Sequence, residues 1–130
     1  MIPMQTACTC SCSSSSVSGP KLIFSCSGAA DVGELADRAA RKLTRDGHGS
    51  MFCLAGVGGR VSGILKSTEA AGKILAIDGC PLDCAKKSLE EAGFSGFNHM
   101  RLSDLGFAKG KTTVDTTSIT QVMNLAKMHL

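Results

Sequence analysis

The stretch Lys21-Leu22-Ile23-Phe24-Ser25-Cys26-Ser27-Gly28, followed by Asp31-Val32-Gly33-Glu34-Leu35-Ala36-Asp37-Arg38-Ala39-Ala40-Arg41-Lys42-Leu43, decides the fold class. A short apolar run gives way at Ser27-Gly28 to apolar positions at 32, 35, 36, 39, 40 and 43. That is the change from a strand to one face of a helix. Asp31, Glu34 and Asp37 fill the start of this helix, and Arg38, Arg41, Lys42 and Arg45 its end, which complements the helix dipole. Gly47 supplies a stop. The unit therefore reads as a strand, a turn and a crossover helix.

The same plan repeats downstream. Ser50-Met51-Phe52-Cys53-Leu54-Ala55 reads as a second strand that breaks at Gly56-Val57-Gly58-Gly59 and leads into Val61, Ile64, Leu65 and Thr68, with Gly72 as stop. Lys73-Ile74-Leu75-Ala76-Ile77-Asp78 reads as a third, broken at Gly79-Cys80, with Pro81 in the first turn of a helix carrying Leu82, Ala85, Leu89 and Ala92. His99 to Leu105 is expected to form a short fourth strand, Gly106 to Thr117 an irregular loop. A final helix is expected to open at Ser118, with Gln121 completing a capping box. Alternating strands and helices of this kind imply a three-layer α/β fold. The sheet is mostly parallel and four-stranded with helices on both faces, Rossmann-like or flavodoxin-like. Residues 20–130 are read as one such domain, and residues 1–19 as a flexible Cys/Ser-rich tail.

Composition narrows the function. The chain has 130 residues, so about 110 remain outside the tail, enough to bury roughly two thirds of the unfolded surface. Fourteen Lys and Arg against eleven Asp and Glu leave a net charge of +3, and five Phe with no Trp or Tyr offer few stacking platforms. Nucleic acid is a poor partner for such a chain. No apolar run approaches the length that spans a bilayer, and the opening MIPMQTACTC lacks the basic and apolar regions of a signal peptide. A cytoplasmic protein is expected. Seven cysteines in a reducing compartment point to metal ligands or redox groups rather than structural disulfides.

The cysteine spacing is regular. Cys26, Cys53 and Cys80 recur at intervals of 27 residues, about one strand, one helix and two loops, so each sits near the carboxyl end of its strand. If the first strand lies between the second and third, the three fall on neighbouring strands at the edge where open α/β sheets bind ligands. Cys84 follows Cys80 by one helical turn and returns to the same side. A tetrahedral soft cation bound by four thiolates suits the set, and zinc is the default where no redox change is needed. The alternative is that Cys26 and Cys53 are simply small buried strand residues. A second class of reading is a thiol/disulfide redox or metalloid-handling protein in which Cys80 and Cys84 cycle between dithiol and disulfide.

Other groups near these ends are candidates for supporting roles. Asp31 and Asp78 suit hydrogen bonds to ligand groups, and Asp83 does too, although capping explains Asp31 and Asp83 equally well. Gly58, Gly59 and Arg60 define a turn that suits a small anion, but the Lys and Ser/Thr of a phosphate-binding loop are missing. Lys86 and Lys87 come early in their helix and Glu90 and Glu91 late, against the dipole. Either the lysines stabilise thiolates, or they form an ordinary solvated face, which is the simpler reading. Cys26 does not open a C-x5-R oxyanion loop, because Val32 stands at the arginine position. His48, His99 and His129 read as surface or loop residues. Cys8, Cys10 and Cys12 are candidate accessory thiols through which a thiol or metal-exchange partner would engage the tail. With neither a Ser/His/Asp set nor a paired-carboxylate site, no reaction is assigned, and the oligomeric state is open.

Asp78-Gly79-Cys80-Pro81-Leu82-Asp83-Cys84-Ala85-Lys86-Lys87 resembles the central segment of the DGC domain, a bacterial and archaeal family named for its Asp-Gly-Cys triplet. Phe24-Ser25-Cys26-Ser27-Gly28-Ala29-Ala30-Asp31-Val32-Gly33 and Met51-Phe52-Cys53-Leu54-Ala55-Gly56 resemble two further family segments, in the same order, so the likeness covers about residues 20 to 110. What the resemblance implies is zinc binding through four chelating cysteines, here Cys26, Cys53, Cys80 and Cys84. It implies no established biochemical activity.

Overall fold

The computed structural model describes residues 19–130. In chain order the elements are β1 (Lys21–Ser25), α1 (Asp31–Arg45), β2 (Ser50–Met51), α2 (Leu54–Gly58), α3 (Ser62–Glu69), β3 (Lys73–Asp78), α4 (Cys84–Glu91), β4 (Asn98–Arg101) and α5 (Thr116–Ala126). A 3-10 turn, Leu102–Leu105, follows β4, and another, Lys127–His129, follows α5. Among the described residues the strands form one four-stranded sheet in the order β2-β1-β3-β4, parallel throughout. The chain runs from β1 outward to β2, then crosses back to β3 on the other side of β1. The β1/β3 boundary is therefore the point where the winding reverses and a crevice opens at the carboxyl ends.

Each face of the sheet carries its own core, as the period-two alternation of a strand requires. Ile23, Leu75, Ile77 and Met100 pack on one face against Leu35, Ala36, Ala39, Ala40 and Leu43 of α1 and Val122 and Met123 of α5. Leu22, Phe24 and Ala76 pack on the other against Val57 of α2 and Ala85 and Leu89 of α4. The first layer is deep, with Ile23, Leu35, Leu43, Leu75 and Ile77 fully buried. Two glycines let the loops at the carboxyl edge approach. A Cβ on Gly33 would lie 2.5 Å from the carbonyl oxygen of Gly28, and one on Gly79 would lie 2.7 Å from that of Val32. The β1–α1 loop, the first turn of α1 and the β3–α4 loop thus meet backbone to backbone.

Several boundaries differ from the sequence reading. The second strand is two residues long, not six: Phe52 extends the pairing by one N–H bond to the Ile23 carbonyl at 2.8 Å, and Cys53 then caps α2. The Gly56–Gly59 segment, expected as a loop, lies mostly in α2, which Cys53 caps, and Gly56 there packs so close to Ile64 that any side chain would strike it. The helix expected at Pro81 begins at Cys84. The fourth strand stops at Arg101 rather than Leu105. In α5 the capping box is Asp115 with Ser118, so Ser118 is its third residue and not its cap. Cys8, Cys10, Cys12 and nearly all of the Ser-rich segment lie outside the described residues.

Candidate functional site

Cys26 is the first residue past β1, and its N–H donates to the Ile77 carbonyl at 3.0 Å, which fixes it beside the end of β3. Its half-buried sulfur faces the backbone N–H groups of Gly28 and Gly79. Burial pushes this thiol above its ordinary range, and the nearby Asp78 carboxylate and Cys84 thiol add to the rise, while the two N–H groups oppose it. Cys80 is half-buried two residues past β3, and Cys84 is exposed as the first residue of α4. Cys26, Cys80 and Cys84 line one cavity of about 460 Å³ at the β1/β3 boundary, together with Gly28, Leu82 and Lys109.

Cys53 stands apart. It is exposed at the cap of α2, its sulfur accepting from the Gly56 N–H at 3.4 Å. It lines a second, larger cavity of about 900 Å³ on the β2 side of Cys26, with Arg41 and Arg45. Cys26 borders both cavities. No three cysteine sulfurs among the described residues lie within 4.8 Å of one another.

Beneath the cysteines runs a charged network. Asp78, 1% exposed, ends β3 and turns its carboxylate onto the start of α4: Oδ1 accepts from the Ala85 N–H at 2.7 Å and Oδ2 from the Lys86 N–H at 3.0 Å. The same Oδ2 lies 2.9 Å from Nε2 of His99. Asp83, at the cap position of α4, is in the left-handed region at φ 54° and makes no cap bond with its own side chain. Its carboxylate is instead gripped by both ends of the Arg101 guanidinium, Nε at 2.8 Å and Nη2, and these bonds hold its carboxyl below the usual range. The same pairing raises Arg101. Asp78, Asp83 and His99 each offer a ligand atom within 4.8 Å of the others. Their oxygens already accept from α4, His99 and Arg101, however, so the set is a self-satisfied network.

The family profile of the DGC domain matches residues 22–126. The chain belongs to the DGC domain family. It is 39% identical over 88 residues to the anaerobic and virulence modulator AnvM of Pseudomonas aeruginosa, covering 68% of this chain and 67% of that protein. No solved structure matches it.

Within this DGC domain the name-giving triplet is thus a β3 terminus that caps a helix (Asp78), a close backbone crossing (Gly79) and a cavity thiol (Cys80). The remaining sequence-predicted residues are dispersed. Asp31 accepts from the N–H groups of Gly110 at 2.9 Å and Thr112 at 3.0 Å, which lowers its carboxyl and pins the loop that carries Lys109 to the cysteine cavity. The Lys86 ammonium pairs with Glu90 at 2.9 Å on the exposed face of α4. Gly58 ends α2 and lines the larger cavity, and Gly59 caps that helix. Arg60 donates to the carbonyls of Val57, Gly58 and Glu91, tying α2 to the end of α4. Its guanidinium is committed to the backbone.

His99, expected as a surface or loop histidine, lies instead in β4 with its ring 2.9 Å from the buried Asp78 carboxylate, and Arg101, expected only as part of a strand, joins it at the site. Their signal was the alternation His99-Met100-Arg101, which sends the two polar groups to one face and Met100 to the other. What the sequence does not carry is the register that sets Asp78 opposite Arg101.

Proposed function

We propose that this DGC domain binds one zinc ion at the carboxyl edge of its sheet through Cys26, Cys53, Cys80 and Cys84. The observation that carries the reading is the single cavity at the β1/β3 boundary lined by Cys26, Cys80 and Cys84. By its chemistry the donor set suits a soft cation, because zinc prefers thiolates, and the sulfurs, no three of which among the described residues lie within 4.8 Å of one another, would have to close on the ion. The Gly56 N–H donates to the Cys53 sulfur. Such an ion supplies a positive centre that keeps four thiols ionised at neutral pH. The chain contributes the positioning: Asp78 anchors the helix that begins with Cys84, Gly79 seats the loop of Cys80 against α1, and Asp31 holds the loop of Lys109.

The role of such a site is binding or regulation in a reducing cytoplasm, where the thiols stay free. AnvM is described as a modulator, and that description suits a protein that acts through what it binds. No helix among the described residues is long and apolar enough to cross a membrane. Metal content by mass spectrometry on the full chain, purified without added zinc, tests the reading. One zinc per chain, lost in Cys80→Ser and in Cys84→Ser, is expected. A metal-free protein with two thiols masked until reductant is added would replace it with a dithiol redox protein built on Cys80 and Cys84, which share one cavity.

A further inference from the structure

Asp37, Arg41 and Arg45 follow one another at single-turn intervals along α1 and line two cavities at once. One is the cavity that holds Cys53. The other, of about 480 Å³, lies between α1 and the start of α5, where Arg38 and Lys42 join them. Four cations against the single carboxylate of Asp37 thus surround a space of the size that encloses small molecules, about 300 to 1,000 Å³. The α5 wall is neutral: Thr116 and Thr120 supply hydroxyl groups and Ile119 an apolar surface.

The cations are only lightly engaged. Arg38 pairs with Glu34 at 2.9 Å, Arg41 with Asp37 at 2.7 Å and Lys42 with Asp46 at 2.9 Å, each within one turn, and all three side chains are about half exposed. Exposed pairs of this kind are weak. Arg45 is exposed and makes no ion pair among the described residues. A monocarboxylate offers Arg41 nothing that Asp37 does not. A multivalent anion held by several cations at once does, and the planar fork of arginine matches phosphate oxygens two at a time.

Arg41 also leads towards the cysteines. Its Nε donates to one carboxylate oxygen of Asp37, and the other oxygen accepts from the Ser27 hydroxyl at 2.7 Å. Ser27 is in the left-handed region at φ 52°, uncommon for a residue with a side chain, and stands between Cys26 and Gly28, which both line the cysteine cavity. An anion that draws Arg41 from Asp37 therefore changes what holds this turn.

We propose that the groove between α1 and α5 binds a small oligophosphate through Arg38, Arg41, Lys42 and Arg45, and that binding is relayed through Asp37 and Ser27 to the turn of Cys26. The site does not depend on what the cysteines hold. Asp37 is its built-in competitor, holding Arg41 until an anion takes its place.

Titration of the isotope-labelled full chain with inorganic pyrophosphate at constant ionic strength, followed by backbone amide NMR signals, tests the proposal. Saturable movement of the Arg38, Arg41, Arg45 and Thr120 signals is expected, accompanied by those of Ser27 and Cys26. Inorganic phosphate should need about tenfold higher concentration, the scale of one charge-assisted hydrogen bond. Arg45→Gln should weaken pyrophosphate binding about tenfold for the same reason. Asp37→Asn should tighten it by up to about fivefold, the size of an exposed ion pair. Thermal melts verify that both variants fold. No saturable movement, or weaker binding by Asp37→Asn, overturns the site. Movement that survives Arg45→Gln undiminished also overturns it, and assigns the shifts to chelation of a bound metal or to a general salt effect. Movement in the groove that leaves Ser27 and Cys26 unchanged overturns the relay.

Discussion

α1 and α4 are both crossover helices that start at the carboxyl edge of the sheet, and they are stabilised by opposite means. α1 follows local rules: Asp31 and Glu34 stand in its first turn, Lys42 and Arg45 in its last, and Arg38 pairs with Glu34 one turn away at 2.9 Å. α4 has no acid in its first turn and no base in its last, and its cap residue Asp83 is turned away into a left-handed conformation. Its orphan N–H groups are satisfied from seven residues upstream, by the buried carboxylate of Asp78. The charges at the ends of α1 come from its own residues, while its apolar face is held by the core. The start of α4 is held by the sheet, and the sheet thereby dictates where Cys84 stands.

The sharpest way to break this contrast is Asp78→Ala. It strips two N–H bonds from α4 and one partner from His99, and it should cost about 3 to 5 kcal/mol in denaturant unfolding, the range for removing one member of a buried charged network. Cys84 should also alkylate faster in the folded variant. Glu34→Ala in α1, by contrast, should cost less than about 0.5 kcal/mol, since its ion pair is exposed. Equal losses in the two helices would dissolve the distinction.

Gly79→Ala comes next. Its methyl group would press on the Val32 backbone, and separating the two loops should cost about 1 to 3 kcal/mol and weaken zinc binding. Gly47→Ala, in open space after α1, would test only the left-handed backbone at φ 82° and should leave metal binding unchanged.

A third effect is read in pH. Asp83 has its carboxyl lowered by Arg101, so its contribution is present above the ordinary carboxylate range of about 4 and is lost as pH falls through the lowered value. Arg101→Gln should therefore reduce wild-type stability at neutral pH and flatten the acid limb of the stability curve. An unchanged acid limb would show that Arg101 does not govern Asp83. The smallest change is expected from Lys86→Gln with Lys87→Gln, below about 0.5 kcal/mol by thermal melting, because Lys86 pairs with Glu90 on a solvated face. A marked drop in zinc affinity would instead revive a role for these lysines beside the thiolates.

The same contrast explains what the sequence discloses. α1, β1 and β3 are legible because their signals are local: apolar period, charge order and glycine stops fall within each segment. The 27-residue recurrence of Cys26, Cys53 and Cys80 also anticipates a common edge, and the order β2-β1-β3 agrees with it. The start of α4 is not legible, since Pro81 is a credible first-turn residue and the true cap, Asp78, belongs to another element. His99 and Arg101 join the site only through the pairing of β3 with β4. The separation of Cys53 from the other three follows from how early β2 ends, and nothing in Phe52-Cys53-Leu54-Ala55 marks that point, because an apolar run suits a strand and a buried helix equally.

X-ray absorption at the zinc edge, on the full chain purified without added metal, tests the central claim most directly. The account predicts a first shell of sulfur at about 2.3 Å, with no contribution from imidazole or carboxylate. A shell of nitrogen and oxygen at about 2.0 to 2.2 Å would contradict it, and would move the metal from the cysteines to Asp78, Asp83 and His99.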